Sequence, residues 1–342
     1  MGRGSLGGAR ATNPQGAVIG VGMKIAVVGA GQFGQNHCRV AGESERARLY
    51  AVVDIDARRA SEMAAKYGAE AMTDYRELAG KVDAAIVAAP TTLHAEIGCA
   101  LMEAGIDCLV EKPIGSDLES ANRLVETAER HGRILQVGHL ERFNPAVVEL
   151  ERRATLPLFF EIHRLNMFSQ RSLDVDVVLD LMIHDVDIVL ALTKAEPEEV
   201  RAAGVCILSP KVDIANVRLQ FANGCVANLT ASRVSTERVR KLRLFQPNQY
   251  LALDYTRQDL TIFTVGEEQR IGFEKAPVTA SEPLKLQLDT FLDAVESRKL
   301  AKCSGQTARQ SLAAALKILD RIKEHSSVVA KALEGWNRSS NL

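Results

Sequence analysis

Three groups of residues in this chain have the types and spacing to do chemistry. The first is Gly29-Ala30-Gly31-Gln32-Phe33-Gly34, which fits G-x-G-x-x-G and is followed, about 20 residues after its last glycine, by Asp54. Where such a turn closes a strand and opens a helix it can hold a pyrophosphate. Gly29 permits the tight turn, Gly31 lets main chain approach the anion, and Gly34 lets helix and strand pack closely. The helix N-terminus, with Gln32 and Phe33 in its first turn, adds free amides and a positive dipole end. Asp54 would accept from ribose hydroxyls and repel a 2′-phosphate, so NAD is expected over NADP; Arg58 and Arg59 close by soften that preference. A bare strand–helix turn shows the same glycines, and it is strand, helix and acid together that favour a dinucleotide.

The second group is Glu111-Lys112-Pro113. An ammonium just past the carboxyl end of a strand lies where open α/β sheets bind ligands, and it can stabilise an alkoxide. Taken alone, Lys112 reads better as a surface lysine paired with Glu111. The third group is Asp180 and His184, four apart and so on one face of a helix. A carboxylate beside an imidazole fixes its tautomer and raises its basicity, which suits a base that removes a hydroxyl proton. An exposed ion pair and two metal ligands are the competing readings. The apolar neighbours weigh against the first, and the lack of a third ligand at HExxH-type spacing weighs against a metal. Asp185 and Asp187 are expected to cap charge or face solvent, and His37 to be structural.

The elements that must hold these groups follow a clear rhythm. Apolar strands at 24–29, 49–54, 84–88, 106–111 and 133–138 alternate with helices, the pattern of a parallel sheet covered on both faces. With right-handed crossovers this gives an N-terminal Rossmann, doubly wound domain over residues 23–140. Beyond it come a helix near Asn144, a strand at 156–165, a helix at 174–192, and several strands from 200 to 265 with a hairpin signal at Ala222-Asn223-Gly224. That is an α+β domain with a large, mainly antiparallel sheet over residues 141–330, whose terminal helices at 283–298 and 307–324 can pack back onto the first domain. Residues 1–22 read as a disordered extension before Met23, a candidate natural start, and 331–342 as a flexible tail.

Composition narrows the function classes. The 342 residues carry 42 Lys and Arg against 43 Asp and Glu, so no basic surplus is available for a nucleic-acid backbone. Hydrophobic residues at 46% and charged residues at 25% match an ordinary globule, and no run approaches the roughly 18 apolar residues of a membrane span. Six scattered cysteines with no C-x-x-C pair suggest buried, reduced thiols and a cytoplasmic setting.

In this order, the glycine turn, Pro90-Thr91-Thr92-Leu93-His94, Glu111-Lys112-Pro113 and Asp180-Leu181-Met182-Ile183-His184 resemble the Gfo/Idh/MocA family of sugar and polyol oxidoreductases. The similarity runs from Met23 to the closing helix and includes Glu282-Pro283-Leu284 and Ser304-Gly305. It implies an NAD(P)-binding domain, a second domain whose open sheet supports a homodimer or homotetramer, and a cis peptide between Lys112 and Pro113. It also implies catalytic placement of Lys112, Asp180 and His184, with Asp180 orienting His184. Pro90, Thr91, Glu111 and Lys112 join Gly29, Gly31, Gln32, Phe33, Gly34, Asp54 and Arg59 as expected cofactor contacts. His94 either reaches the nicotinamide end or closes a helix terminus.

The run Gly138-His139-Leu140-Glu141-Arg142-Phe143-Asn144-Pro145 is most similar to the branch of that family that oxidises UDP-N-acetylglucosamine at C3, ahead of a PLP-dependent aminotransferase in 2,3-diamino-sugar synthesis for lipid A or related glycans. Asn144 before Pro145 has the chemistry of a helix start. Arg142, Asn144, Arg164 and Arg171, with Lys112 and His184, are the expected substrate contacts, the arginines cradling the diphosphate. Arginines covering helix ends or bridging subunits are the alternative. Inositol or free-sugar oxidation, and an NAD-binding regulatory protein without catalysis, are the alternative functions.

Overall fold

The computed structural model describes residues 22–168 and 175–340; the side chains of 329 and 331–340 are not described. Arg171 and residues 1–21 lie outside the described residues. The N-terminal sheet is built from β1 (Met23–Val28), β2 (Ala47–Val53), β3 (Glu70–Met72), β4 (Ala84–Val87), β5 (Asp107–Val110) and β6 (Leu135–Val137). Helices α1 (Gln32–Gly42), α2 (Ala57–Tyr67), α3 (His94–Glu103) and α4 (Leu118–Arg130) connect them. All pairings are parallel, in the order β3-β2-β1-β4-β5-β6. Chain order reverses between β1 and β4, the position where doubly wound sheets open a ligand crevice beyond the strand carboxyl ends. Strands β4 and β5 are buried throughout, which explains their unbroken apolar sequences.

The second domain begins with α5 (Pro145–Arg153), where Asn144 caps the helix by accepting from the Ala146 amide and Pro145 fills the first position. There follow β7 (Phe159–Met167), a π-helical turn (Val178–Met182) that runs into α6 (Ile183–Thr193), and β8 (Pro197–Val205). The sheet is completed by β9 (Ile214–Phe221), β10 (Val226–Ser235), β11 (Val239–Gln246), β12 (Gln249–Asp254), β13 (Asp259–Val265) and β14 (Ile271–Lys275). Its order is β14-β13-β12-β11-β7-β10-β9-β8, antiparallel except for the β7–β10 pair. Alternating residues send Phe160, Ile162 and Arg164 of β7 to the covered face. On the open face Phe159, Phe245, Tyr250, Phe263 and Phe273 form a ladder across five strands, with neighbouring ring centroids 4.8–5.8 Å apart.

The two last helices fix the domains to each other. In α7 (Pro283–Ser297), Leu284, Leu288, Phe291 and Leu292 join the apolar cluster of β1 and β2. Along α8 (Gly305–Ser340), Ala308 and Leu312 enter the N-terminal core, whereas Ala315, Ile318 and Ile322 enter the core of the second domain. The helix continues through Ser340. Continuous apolar periodicity over both cores is what lets one helix serve two domains.

Candidate active site

At the carboxyl ends of β1, β2, β4 and β5 lies a cavity of about 640 Å³. Its walls include Gly29, Gly31, Gln32, Phe33, Asp54, Arg59, Pro90, Thr91, His94, Glu111 and Lys112, every expected cofactor contact except Gly34. Gly34 works behind the wall: a Cβ there would stand 1.7 Å from the Gly29 carbonyl oxygen, so only glycine lets α1 approach β1. Gly29 has φ +99° and backs onto Ala88. A Cβ on Gly31, by contrast, meets nothing within 4 Å. No packing constraint within the chain calls for glycine there, and the space it leaves is the cavity itself. Asp54 accepts from the Ala30 amide (2.7 Å), the Asp56 amide (2.9 Å) and the Arg59 guanidinium (3.0 Å). A carboxylate has about four acceptor positions, so these bonds orient it and leave room for a ribose hydroxyl. These residues fit a dinucleotide.

The loop carrying Lys112 is braced from several sides. Glu111 pairs with His37 of α1 at 2.7 Å and accepts from the Lys112 amide at 3.2 Å. Burial alone would raise the Glu111 carboxyl, but the His37 hydrogen bond and the charges of His37 and Lys112 outweigh it and hold it below the usual range. Gly138 makes room for that carboxylate, since a Cβ would come within 2.8 Å of it. The Lys112–Pro113 peptide is cis. His94 is buried, with its ring nitrogens 2.9 Å from the Ala89 carbonyl and 3.0 Å from the Pro113 carbonyl. Of the two roles open to it, the helix-terminal one describes this geometry: it ties the strand ends together while bordering the cavity.

Lys112 then crosses to the second domain. Its Nζ donates to the Asp180 carbonyl at 2.6 Å and stands 3.3 Å from the Asp180 carboxylate. Asp180 lies in the π-helical turn, a helix irregularity frequent at functional sites. Its carboxylate faces Lys112, and no hydrogen bond joins it to His184; the Nδ1 of His184 is enclosed and has no partner. The orienting role expected of Asp180 therefore has no contact behind it. Burial holds the His184 imidazole well below the usual histidine range, and Lys112, Arg164, His139 and Arg240 push in the same direction.

The expected anion cradle needs correction. Arg164 is 2% exposed, forms two 2.7 Å bonds to Asp185 and a third to Glu141, and stacks 4.8 Å over Tyr255. Arg142 reaches Glu151 at 2.6 Å and Asp187 at 3.2 Å. Asn144 caps α5 and donates to the Tyr255 carbonyl. The two arginines are internal struts, because each guanidinium already faces two carboxylates and leaving such charges unpaired inside the protein is costly. Asp185 and Asp187, expected to cap charge or face solvent, are 1% and 2% exposed and are the partners of these arginines.

Model descriptions of two families cover most of this frame: an oxidoreductase family with an NAD-binding Rossmann fold matches residues 23–139, and the GFO/IDH/MocA C-terminal domain matches 147–247. The UDP-N-acetylglucosamine 3-dehydrogenase of Acidithiobacillus ferrooxidans is 36% identical over 86% of this chain and 96% of its own. The chain belongs to the Gfo/Idh/MocA family. The solved structure of that dehydrogenase superposes with a TM-score of 0.84, covering 89% of this chain and 99% of its own. Myo-inositol 2-dehydrogenase of Thermotoga maritima is 26% identical over 92% of this chain and all of its own. The chain is thus an NAD-binding oxidoreductase acting on CH–OH groups.

Within this Gfo/Idh/MocA frame, sequence reasoning missed several residues. Thr73 and Tyr75 line the cavity beyond β3, a strand too short to show a pattern, and Ile55 lies beside Asp54. Arg240, on β11 directly opposite Arg164, is the one whose charge is poorly met. Its Nε has no partner, and its nearest carboxylate is Glu141 at 3.8 Å, already bonded to Arg164. Burial, then Arg164, bring Arg240 down to about 10. Nothing local in Arg238-Val239-Arg240 distinguishes it from a surface basic run. Among the described residues no group of three His, Cys, Asp or Glu is placed to hold a metal, and no helix is long and apolar enough to cross a membrane.

Proposed function

We propose that this oxidoreductase uses NAD to oxidise the 3-hydroxyl of a UDP-N-acetylglucosamine-type nucleotide sugar to a 3-keto sugar. The observation that carries the reading is the contact of Lys112 with Asp180 across the domains, on the border of the cofactor cavity and within electrostatic reach of His184. Bound NAD supplies the hydride acceptor. An ammonium has three donors, and Lys112 directs two at Asp180, leaving one for the substrate oxygen. That donor stabilises the negative charge growing on the oxygen as its proton leaves. His184, neutral because burial and Lys112 disfavour its charge, takes the proton. The hydroxyl proton ends on the His184 imidazole, and the C3 hydride would pass to NAD held by the glycine turn and Asp54.

The similarity to a UDP-N-acetylglucosamine 3-dehydrogenase along nearly the whole chain supports the nucleotide sugar over an inositol. Arg240 is the residue best suited to meet a phosphate, replacing the arginines first expected to do so. A 3-keto product suits a following PLP-dependent amination toward 2,3-diamino sugars of lipid A or related glycans. The aromatic ladder on the open sheet face is the surface on which a homodimer or homotetramer would form. NADH formation by purified protein with UDP-N-acetylglucosamine, N-acetylglucosamine and myo-inositol tests the reading. Turnover should require the nucleotide sugar, and preference for myo-inositol overturns it.

A further inference from the structure

Catalysis by His184 requires one particular tautomer. To take a proton from a hydroxyl in the cleft, one ring nitrogen must carry a free lone pair, so the other must carry the hydrogen and give it to an acceptor. Asp180 does not serve, since its carboxylate and carbonyl both face Lys112. The inward nitrogen of His184, Nδ1, is enclosed without a partner. Beside it stands His139, 1% exposed, with ring centroids 6.0 Å apart and ring planes nearly perpendicular at 88°. Both nitrogens of His139 are likewise enclosed and unbonded, and its Nε2 lies 4.0 Å from Asp187. A buried and a half-buried imidazole with three enclosed, unbonded nitrogens between them are unusual, because such groups are costly to leave unmade. Their separation is that of a pair joined through one water or by a small closure of the cleft.

We propose that His139, with the Asp187 carboxylate behind it, is the positioning residue that fixes His184 as its Nδ1–H tautomer. Asp187 accepts from Arg142 and from Ser311 of α8 at 2.8 Å, so the acceptor end of the chain is rigid. Asp187 draws a hydrogen onto the facing nitrogen of His139, which leaves the other nitrogen of His139 to accept from His184 Nδ1–H. His184 Nε2 then faces the cleft as the base. When Nε2 takes the substrate proton, the new imidazolium is stabilised through Nδ1–H by His139 and, beyond it, by the Asp187 charge. The charged groups acting on His139 are Asp187, Arg142, Lys112 and Glu111; those acting on His184 are Lys112, Arg164 and Arg240. Burial keeps His139 itself neutral, as an acceptor must be.

The inference rests on His184 being the base, and the test separates the two. Nitrogen NMR of histidine-labelled protein with NADH bound, with His184 assigned by loss of its signals in His184→Ala, reports the tautomer without any substrate. His184 should show Nδ1–H in the parent protein and a mixture weighted to Nε2–H in His139→Phe. His139→Gln, which keeps an acceptor, should restore Nδ1–H. An Nε2–H tautomer in the parent, or no change in His139→Phe, overturns the proposal. In turnover, His139→Phe should lower kcat by about 10²-fold with KM little changed. The acid limb of its kcat profile should move to lower pH, because a less stabilised imidazolium loses its proton more readily. A packing defect would lower kcat without moving that limb, and that result also overturns the proposal. If His139→Phe does not fold, the same readouts in His139→Gln and Asp187→Asn decide. Full activity of His184→Ala would instead remove the base assignment, whatever the NMR shows.

Discussion

The two sides of the cleft are built by different means. On the cofactor side the part of the wall suited to pyrophosphate and ribose is a glycine turn, a helix N-terminus and one carboxylate, all within residues 29–54. On the substrate side it is side chains brought from β5, the π-helical turn, the end of β6 and β11. The first kind of site needs mostly local conformation. The second depends on charge balance among residues far apart in sequence, and there a guanidinium is a strut or a ligand contact according to how many carboxylates surround it.

The contrast is sharpest at the reacting centre. His184→Ala should lower kcat by about 10²–10⁴-fold, and Lys112→Ala by about 10²–10³-fold, both with NADH binding retained in fluorescence titration. Normal turnover in either would remove the role given to that residue. Among the arginines, Arg240→Gln should lower kcat/KM for the nucleotide sugar by roughly 10- to 100-fold, the worth of a charge-assisted hydrogen bond, with thermal stability unchanged. Arg164→Gln should do the reverse, destabilising by about 3–5 kcal/mol because Asp185 is left buried and unpaired. If Arg164→Gln melts normally and raises KM instead, the two sides are not built as described.

How far the sequence revealed all this follows the same division. The glycine turn, Asp54 and the strand–helix rhythm were legible because each acts through its own backbone geometry. Lys112 and Asp180 were legible through motif order, and they do meet. The fates of Arg142 and Arg164 were not, because Asp187 and Asp185, which neutralise them, lie 45 and 21 residues away. Asn144 gave the right local reading, a helix cap, but that role engages the side chain that a substrate would need. His139 lies in the run from Gly138 to Pro145, yet only its burial beside His184 points to the positioning role proposed for it.

On the cofactor side, the glycines offer a finer test. Gly31→Val should weaken NAD binding by about tenfold while leaving the melting temperature unchanged, since its Cβ enters open space. Gly34→Ala should lower the melting temperature first, because its Cβ meets backbone. Calorimetry and titration on both variants separate the two roles. The smallest effect is on pH. His94, His139 and His184 are all held below the usual histidine value by burial, so the unfolded chain binds protons more readily than the folded one as pH falls below 6.5. Stability is then fully present above that pH and declines below it. Melting curves from pH 7 to 5 should show the decline, and it should be reduced in His139→Gln.

Everything on the substrate side turns on Lys112 and His184 acting on one hydroxyl. A crystal structure with NADH and UDP-N-acetylglucosamine bound measures this directly. The 3-hydroxyl should lie within hydrogen-bond distance of both Lys112 Nζ and His184 Nε2, with C3 facing the nicotinamide. A sugar whose 3-hydroxyl touches neither, or touches only one while another hydroxyl faces the ring, would contradict the mechanism.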